Sequence, residues 1–168
     1  MDHHVLKWDE YFIGIAMLAA LRSKDPSSQV GAVITTAENK VVGMGYNGFV
    51  AGVDESRFSW KREGEWLETK YPYVVHAEAN AILNSTTSDL KNCKVYVTLF
   101  PCNECAKQIA QKKISEIIYL EDKYPDSDLG KASRLILKAA GIKVRKVELP
   151  HLSEELIKVA KKIESLNK

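Results

Sequence analysis

KVYVTLFPCNECAKQIAQKKISEIIYL, residues 94 to 120, reads as a strand (94–100), a helix (102–112) and a second strand (116–120). A strand joined to the next through a helix makes a crossover, which is right-handed and leaves the two strands parallel. Downstream the unit repeats, with a helix over 129–140 and the strand "IKVRKVE" over 142–148. Upstream a helix over 77–84 precedes it. Further back, "VGAVITT" (30–36) and "KVVGMGYN" (40–47) flank the turn "AENK" and should pair antiparallel. Asp9 is placed to cap a helix from about 10 to 22, whose apolar residues nearly encircle it and imply burial. The expected fold class is α/β, a three-layer α/β/α sandwich around a mixed sheet of about five strands. A last helix over 153–166 carries apolar residues at 156, 159, 160, 163 and 166 with lysines opposite, which suits docking on the domain or on a neighbouring subunit.

A chain of 168 residues fits one domain, expected over 1–168, with its core over about 8–147 and the final helix within 150–168. The net charge of +2 is too small to advertise binding to a nucleic-acid backbone. The apolar run Phe12 to Leu21 is about half of the roughly 20 residues a membrane helix needs, and the acidic segment before it lacks the basic start of a secretory signal. The expectation is a cytoplasmic protein. Three cysteines, Cys93, Cys102 and Cys105, then argue against a disulfide framework and for metal, catalysis or packing. Cys93, at a strand start, reads as a small buried hydrophobe.

Between Gly48 and Tyr73 no period is sustained, and ordered connections of that length are often functional. Its Arg57, Trp60, Lys61, Arg62 and Trp66 would suit an anionic, aromatic ligand, or else the tryptophans cover a core edge and the charges are solvated.

"PCNEC" (101–105) puts Cys102 and Cys105 on one face at the mouth of a helix, where the helix dipole favours thiolates. Alone, that motif fits a redox pair, half of a structural zinc site or coincidence. "HAEAN" (76–80) supplies a third ligand type, His76, at the start of the preceding helix. Three protein ligands plus an open position is the catalytic arrangement of zinc, whereas structural sites close with four. Glu78 adds a carboxylate able to shuttle protons to a ring nitrogen and a departing amine. Residues two apart diverge on a regular helix, so His76 and Glu78 must lie at its very start for both to face one cleft. Together the segments match H-x-E…P-C-x-x-C, the signature of zinc deaminases of nucleobases.

Longer blocks sharpen the likeness. "RSKDPSSQVGAVI" (22–34), "GYNGF" (45–49), "TKYPYVVHAEANAIL" (69–83), "LFPCNECAKQIA" (99–110) and "DKYPDSD" (122–128) resemble the deoxycytidylate deaminases over about residues 8 to 147. The resemblance implies a cytidine deaminase-like fold and hydrolysis of dCMP to dUMP for thymidylate synthesis. It further implies an oligomer, commonly a hexamer, activated by dCTP and inhibited by dTTP, with Mg2+ possible beside the regulatory nucleotide. It assigns His76, Cys102 and Cys105 to zinc and Glu78 to proton transfer. For substrate it implies Asn47 on the sugar, with Ala77 and the main chain of Leu99, Phe100 and Pro101 around the base; Ser23 and Lys24, a hydroxyl and an ammonium, suit the phosphate or else merely end a helix with a solvated lysine, and Tyr124 either closes over the pyrimidine or packs at a strand end. For the effector it implies the neighbourhood of Tyr46 and Gly48 with Arg57, Trp60, Lys61 and Arg62. Two positions depart from the family's usual pattern: Val50, where many relatives carry proline, and Ala79, where a larger aliphatic residue is common. A deaminase of tRNA adenosine and a non-catalytic zinc module that binds nucleotides are the competing readings. The low net charge disfavours the first and Glu78 the second.

Overall fold

The computed structural model describes residues 4–167; the ends of the expected unit, residues 1–3 and 168, lie outside them. The elements run α1 (Trp8–Ala20), β1 (Gly31–Thr35), β2 (Val41–Tyr46), β3 (Gly48–Phe49), β4 (Val74–Val75), α2 (Ala77–Leu83), β5 (Lys94–Leu99), α3 (Asn103–Gln111), β6 (Glu116–Glu121), α4 (Asp128–Ala139), β7 (Lys143–Lys146) and α5 (Leu152–Leu166). Five strands form one sheet in the order β2-β1-β5-β6-β7. β1 is antiparallel to both β2 and β5, while β5, β6 and β7 are parallel. The sheet is therefore mixed, with the α3 and α4 crossovers on its parallel half.

Side chains alternate across the pleat and divide the interior in two. Ala32, Ile34, Val95, Val97 and Ile117 face α2, α3 and α4, where they meet Ala77, Ala81, Ala106, Ile109 and Leu137. Val33, Tyr96 and Ile118 face the other way, onto Phe12, Ile13 and Ala16 of α1. Cys93, 4% exposed, belongs to the first cluster as a small apolar side chain. Two glycines set how closely the helices lie. A Cβ on Gly31 would strike the Ala16 carbonyl oxygen of α1, and one on Gly45 would strike that of Ala77 in α2. The second contact holds the start of α2 against β2.

The α1 cap differs from expectation. Lys7, not Asp9, precedes the helix, and its N–H donates to the Glu10 carboxylate at 3.2 Å. Asp9 is the second helical residue, and its carboxylate takes the Arg145 guanidinium at 2.6 and 3.0 Å and the Tyr96 hydroxyl at 3.0 Å. An anchor to the sheet has displaced the local cap. Glu10 is buried and also accepts the N–H groups of His151 and Leu152, which ties the start of α5 to α1.

Beyond that tie the apolar stripe of α5 does not dock on its own domain, which leaves the other expected alternative, a neighbouring subunit. Leu152 is its buried residue, whereas Leu156, Val159, Ile163 and Leu166 are exposed. The connection from 48 to 75 has more order than its sequence signalled. β3 and β4 pair Gly48 with Val75 and Phe49 with Val74, closing its base. Inside it, Phe49 lies 4.1 Å from Trp60 and 5.6 Å from Phe58 between ring centroids. No helix among the described residues is long and apolar enough to cross a membrane.

Candidate active site

α2 and α3 both begin beside the end of β5, and each offers its first flanking residue to the same point. His76 precedes α2 and Cys102 precedes α3, both with extended backbone. That conformation resolves the spacing of His76 and Glu78: the histidine stands outside the helix while the glutamate sits on its first turn. His76 Nδ1 lies 3.3 Å from Cys102 Sγ and 3.5 Å from Cys105 Sγ, and the three ligand atoms fall within 4.8 Å of one another. Ligands at about 2.0 to 2.3 Å from a tetrahedral zinc ion stand roughly 3.5 to 3.8 Å apart, and the two histidine–sulfur distances come near that spacing. One nitrogen and two sulfurs is also the chemistry zinc prefers over magnesium or calcium.

The groups hold one another's charges. Hydrogen bonding with Cys105, reinforced by His76, draws the Cys102 thiol down to about 4. Its hydrogen bond to Cys102 lifts His76 to about 9, against the pull of burial. Cys105 is pushed strongly upward, first by its hydrogen bond with Cys102 and then by burial. Glu78 is 4% exposed, and burial raises its carboxyl above the usual range although His76 opposes this. A carboxyl shifted toward neutral is suited to accepting and releasing a proton in one cycle.

These groups line a cleft of about 820 Å³. Of the residues expected around a substrate, Asn47, Ala77, Leu99, Phe100 and Tyr124 line it. Pro101 is buried, and its carbonyl accepts the Ser133 hydroxyl at 2.8 Å. Ser23 and Lys24 do not line the cleft. Ser23 is buried and its hydroxyl lies 3.3 Å from the Asp25 N–H, while the Lys24 ammonium holds both oxygens of Glu55 at 3.0 and 2.9 Å. Asn47 is almost fully engaged by protein: its amide donates to Ser28 O at 2.9 Å and Asp25 Oδ2 at 3.3 Å, and its oxygen accepts Val30 N–H at 2.8 Å. What remains to it is acceptor capacity, which a sugar hydroxyl can use.

Asp25 and Lys70 escaped sequence reading. They form a buried ion pair of 2.5 Å on the cleft wall, and Asp25 also accepts two backbone N–H groups at 2.8 and 3.2 Å. The partners are 45 positions apart, so only the fold discloses the pair. Phe100 is braced by the Arg134 guanidinium, 4.2 Å above its ring, and Arg134 is itself paired with Asp122. The residues expected around an effector separate. Arg57 and Lys61 line a second cavity of about 410 Å³, Arg62 lines the main cleft, and Trp60 packs inside its loop. Tyr46 and Gly48 line neither cavity.

Residues 6–121 match the family model of the cytidine and deoxycytidylate deaminase zinc-binding region. The chain is 56% identical over 142 residues to the deoxycytidylate deaminase of Mus musculus, covering 84% of this chain and 80% of that one. To the Homo sapiens deoxycytidylate deaminase it is 53% identical over 153 residues, covering 90% and 85%. Among solved structures, the fold resembles the dCMP deaminase of cyanophage S-TIM5 in complex with dCMP and dUMP, with a TM-score of 0.69 at 24% identity over 86% of this chain and 100% of that one.

Proposed function

Because the chain belongs to the cytidine and deoxycytidylate deaminase family, and so is an enzyme acting on carbon–nitrogen bonds, we propose that it hydrolyses dCMP to dUMP and ammonia. The observation that carries this reading is the convergence of His76, Cys102 and Cys105 with the buried carboxyl of Glu78 in one cleft. His76 Nδ1 and the sulfurs of Cys102 and Cys105, on losing their protons, would hold the metal. Zinc, when bound there, acidifies a water toward a pKa of about 7 and so makes a nucleophile available at neutral pH. Glu78 would take a proton from the attacking water as the water oxygen adds to C4 of the pyrimidine, and give that proton to N3. It then moves a second proton from the new hydroxyl to the amino group, so that the C4–N bond breaks, ammonia leaves and a carbonyl remains. Asn47 accepts a sugar hydroxyl with its remaining lone pair, and Phe100, braced by Arg134, forms one wall for the base.

The reaction supplies dUMP for thymidylate synthesis in the cytoplasm. dCTP activates the enzyme and dTTP inhibits it, with Mg2+ beside the nucleotide. Support for a regulatory site comes from the second cavity, where Arg57 and Lys61 place two cations beside Phe58 and Tyr73. The exposed apolar stripe of α5 favours association into an oligomer, for which we take the hexamer as the working assembly.

A substrate panel with zinc-loaded protein tests the assignment: ammonia should come readily from dCMP, far less from CMP, deoxycytidine or tRNA, and dCTP and dTTP should move the dCMP curve in opposite directions. Turnover of tRNA adenosine in preference to dCMP would replace the nucleotide reading by the editing one. Curves indifferent to both triphosphates would remove the regulation and leave the catalysis.

A further inference from the structure

Resting on the nucleotide reading above, we propose that Arg62 grips the substrate's 5′-phosphate and thereby sets the preference for a nucleotide over a nucleoside. A phosphate monoester carries between one and two negative charges near neutral pH, and its oxygens must meet donors when it enters a cleft. Three cationic side chains line this one: Arg62, Lys70 and Lys123. Lys70 is committed, and Lys123 is paired only at the solvent-exposed rim. Lys70 is buried against Asp25 at 2.5 Å, and Lys123 holds Glu121 at 3.4 Å. Among the described residues Arg62 has no carboxylate partner; its Nε donates to the Tyr71 hydroxyl at 3.4 Å, and the hydroxyl of Tyr124 also lies close to the guanidinium.

A guanidinium has five donors in a planar fork that meets two phosphate oxygens at once, and here, among the described residues, only the hydroxyls of Tyr71 and Tyr124 engage it, which leaves donors of the fork free. Tyr71 and Tyr124 both line the cleft, so their hydroxyls add donors of a second kind at the same place. The alternative in sequence, Ser23 with Lys24, is not on the cleft, and the exposed Lys24 ammonium pairs with both oxygens of Glu55. Arg57 and Lys61, close to Arg62 in sequence, line the other cavity. The fold thus divides one basic segment between two anion-binding tasks.

The test is calorimetric titration of zinc-loaded protein with dUMP and with deoxyuridine, which differ only in the phosphate, for wild type, Arg62→Ala, Arg62→Lys and Lys24→Ala. The assignment predicts that Arg62→Ala lowers the ratio of dUMP to deoxyuridine affinity by about tenfold or more, that Arg62→Lys recovers part of it, and that Lys24→Ala keeps it within about twofold. An Arg62→Ala protein that retains the wild-type ratio overturns the assignment alone. A wild-type protein with no preference for dUMP overturns the nucleotide reading, and the assignment with it.

Discussion

Glu78 is the residue on which the chemistry turns, because it is the buried carboxyl beside three metal-ligating atoms and contributes none of them. Glu78→Gln keeps the shape of the side chain and removes the proton acceptor. It should retain zinc, measured by metal analysis, while ammonia release from dCMP falls by about 10²- to 10⁴-fold. His76→Ala should lose zinc and turnover together. The Asp25–Lys70 pair invites a different substitution: Lys70→Met leaves a buried carboxylate without its cation and should cost about 3 to 5 kcal/mol in urea unfolding, part of which Asp25→Asn in the same chain restores. The zinc ligands and Glu78 were readable as letters because histidine and cysteine are rare in this chain and stand, with one glutamate, at a telling spacing. Where Ser23, Lys24 and Arg62 lie relative to the cleft was not, since the cleft wall is assembled from segments far apart in sequence. Glu55, which pairs with Lys24, is 31 positions away.

At the scale of elements, the site depends on where α2 and α3 begin. α2 is held on β2 at Gly45, whose missing side chain leaves room for the Ala77 carbonyl oxygen. Gly45→Val should push α2 outward, cost about 1 to 3 kcal/mol in unfolding, and weaken zinc binding because His76 moves with the helix. Competition against a chelator reads the second effect separately from the first. The strands and helices from 77 to 148 were legible because each carries a clear period and a short connection. β3 and β4 were not: two residues each give no period, and their pairing is a contact between the ends of a long loop. Asp9 misled for a related reason. Its spacing suits a cap, but Arg145, 136 positions later, engages it more strongly.

For the molecule as a whole, acid stability follows from the carboxylates that join α1 to the rest. Arg145 holds Asp9 below the usual carboxylate range. Burial pushes Glu10 up, but the N–H groups of His151, Lys7 and Leu152 together outweigh it and leave its pKa lowered. A carboxyl depressed in the folded state stabilises above its unfolded pKa, and that contribution disappears as pH falls through the folded value. The melting temperature should therefore hold above about pH 5 and decline below about pH 4. Glu10→Gln should melt lower at neutral pH and show a shallower acid limb. The α5 stripe was visible as an amphipathic pattern, yet a pattern states only that a face is apolar, not what meets it; within one chain its exposed residues stay uncovered.

His76, Cys102 and Cys105 should carry one zinc ion that the hydrolysis of dCMP requires. Metal-stripped protein titrated with zinc tests it most directly, with ammonia release from dCMP followed against zinc bound per chain. The rate should rise linearly and level at one equivalent. A stripped protein with full activity, or a rate that ignores added zinc while the ion binds, would contradict it.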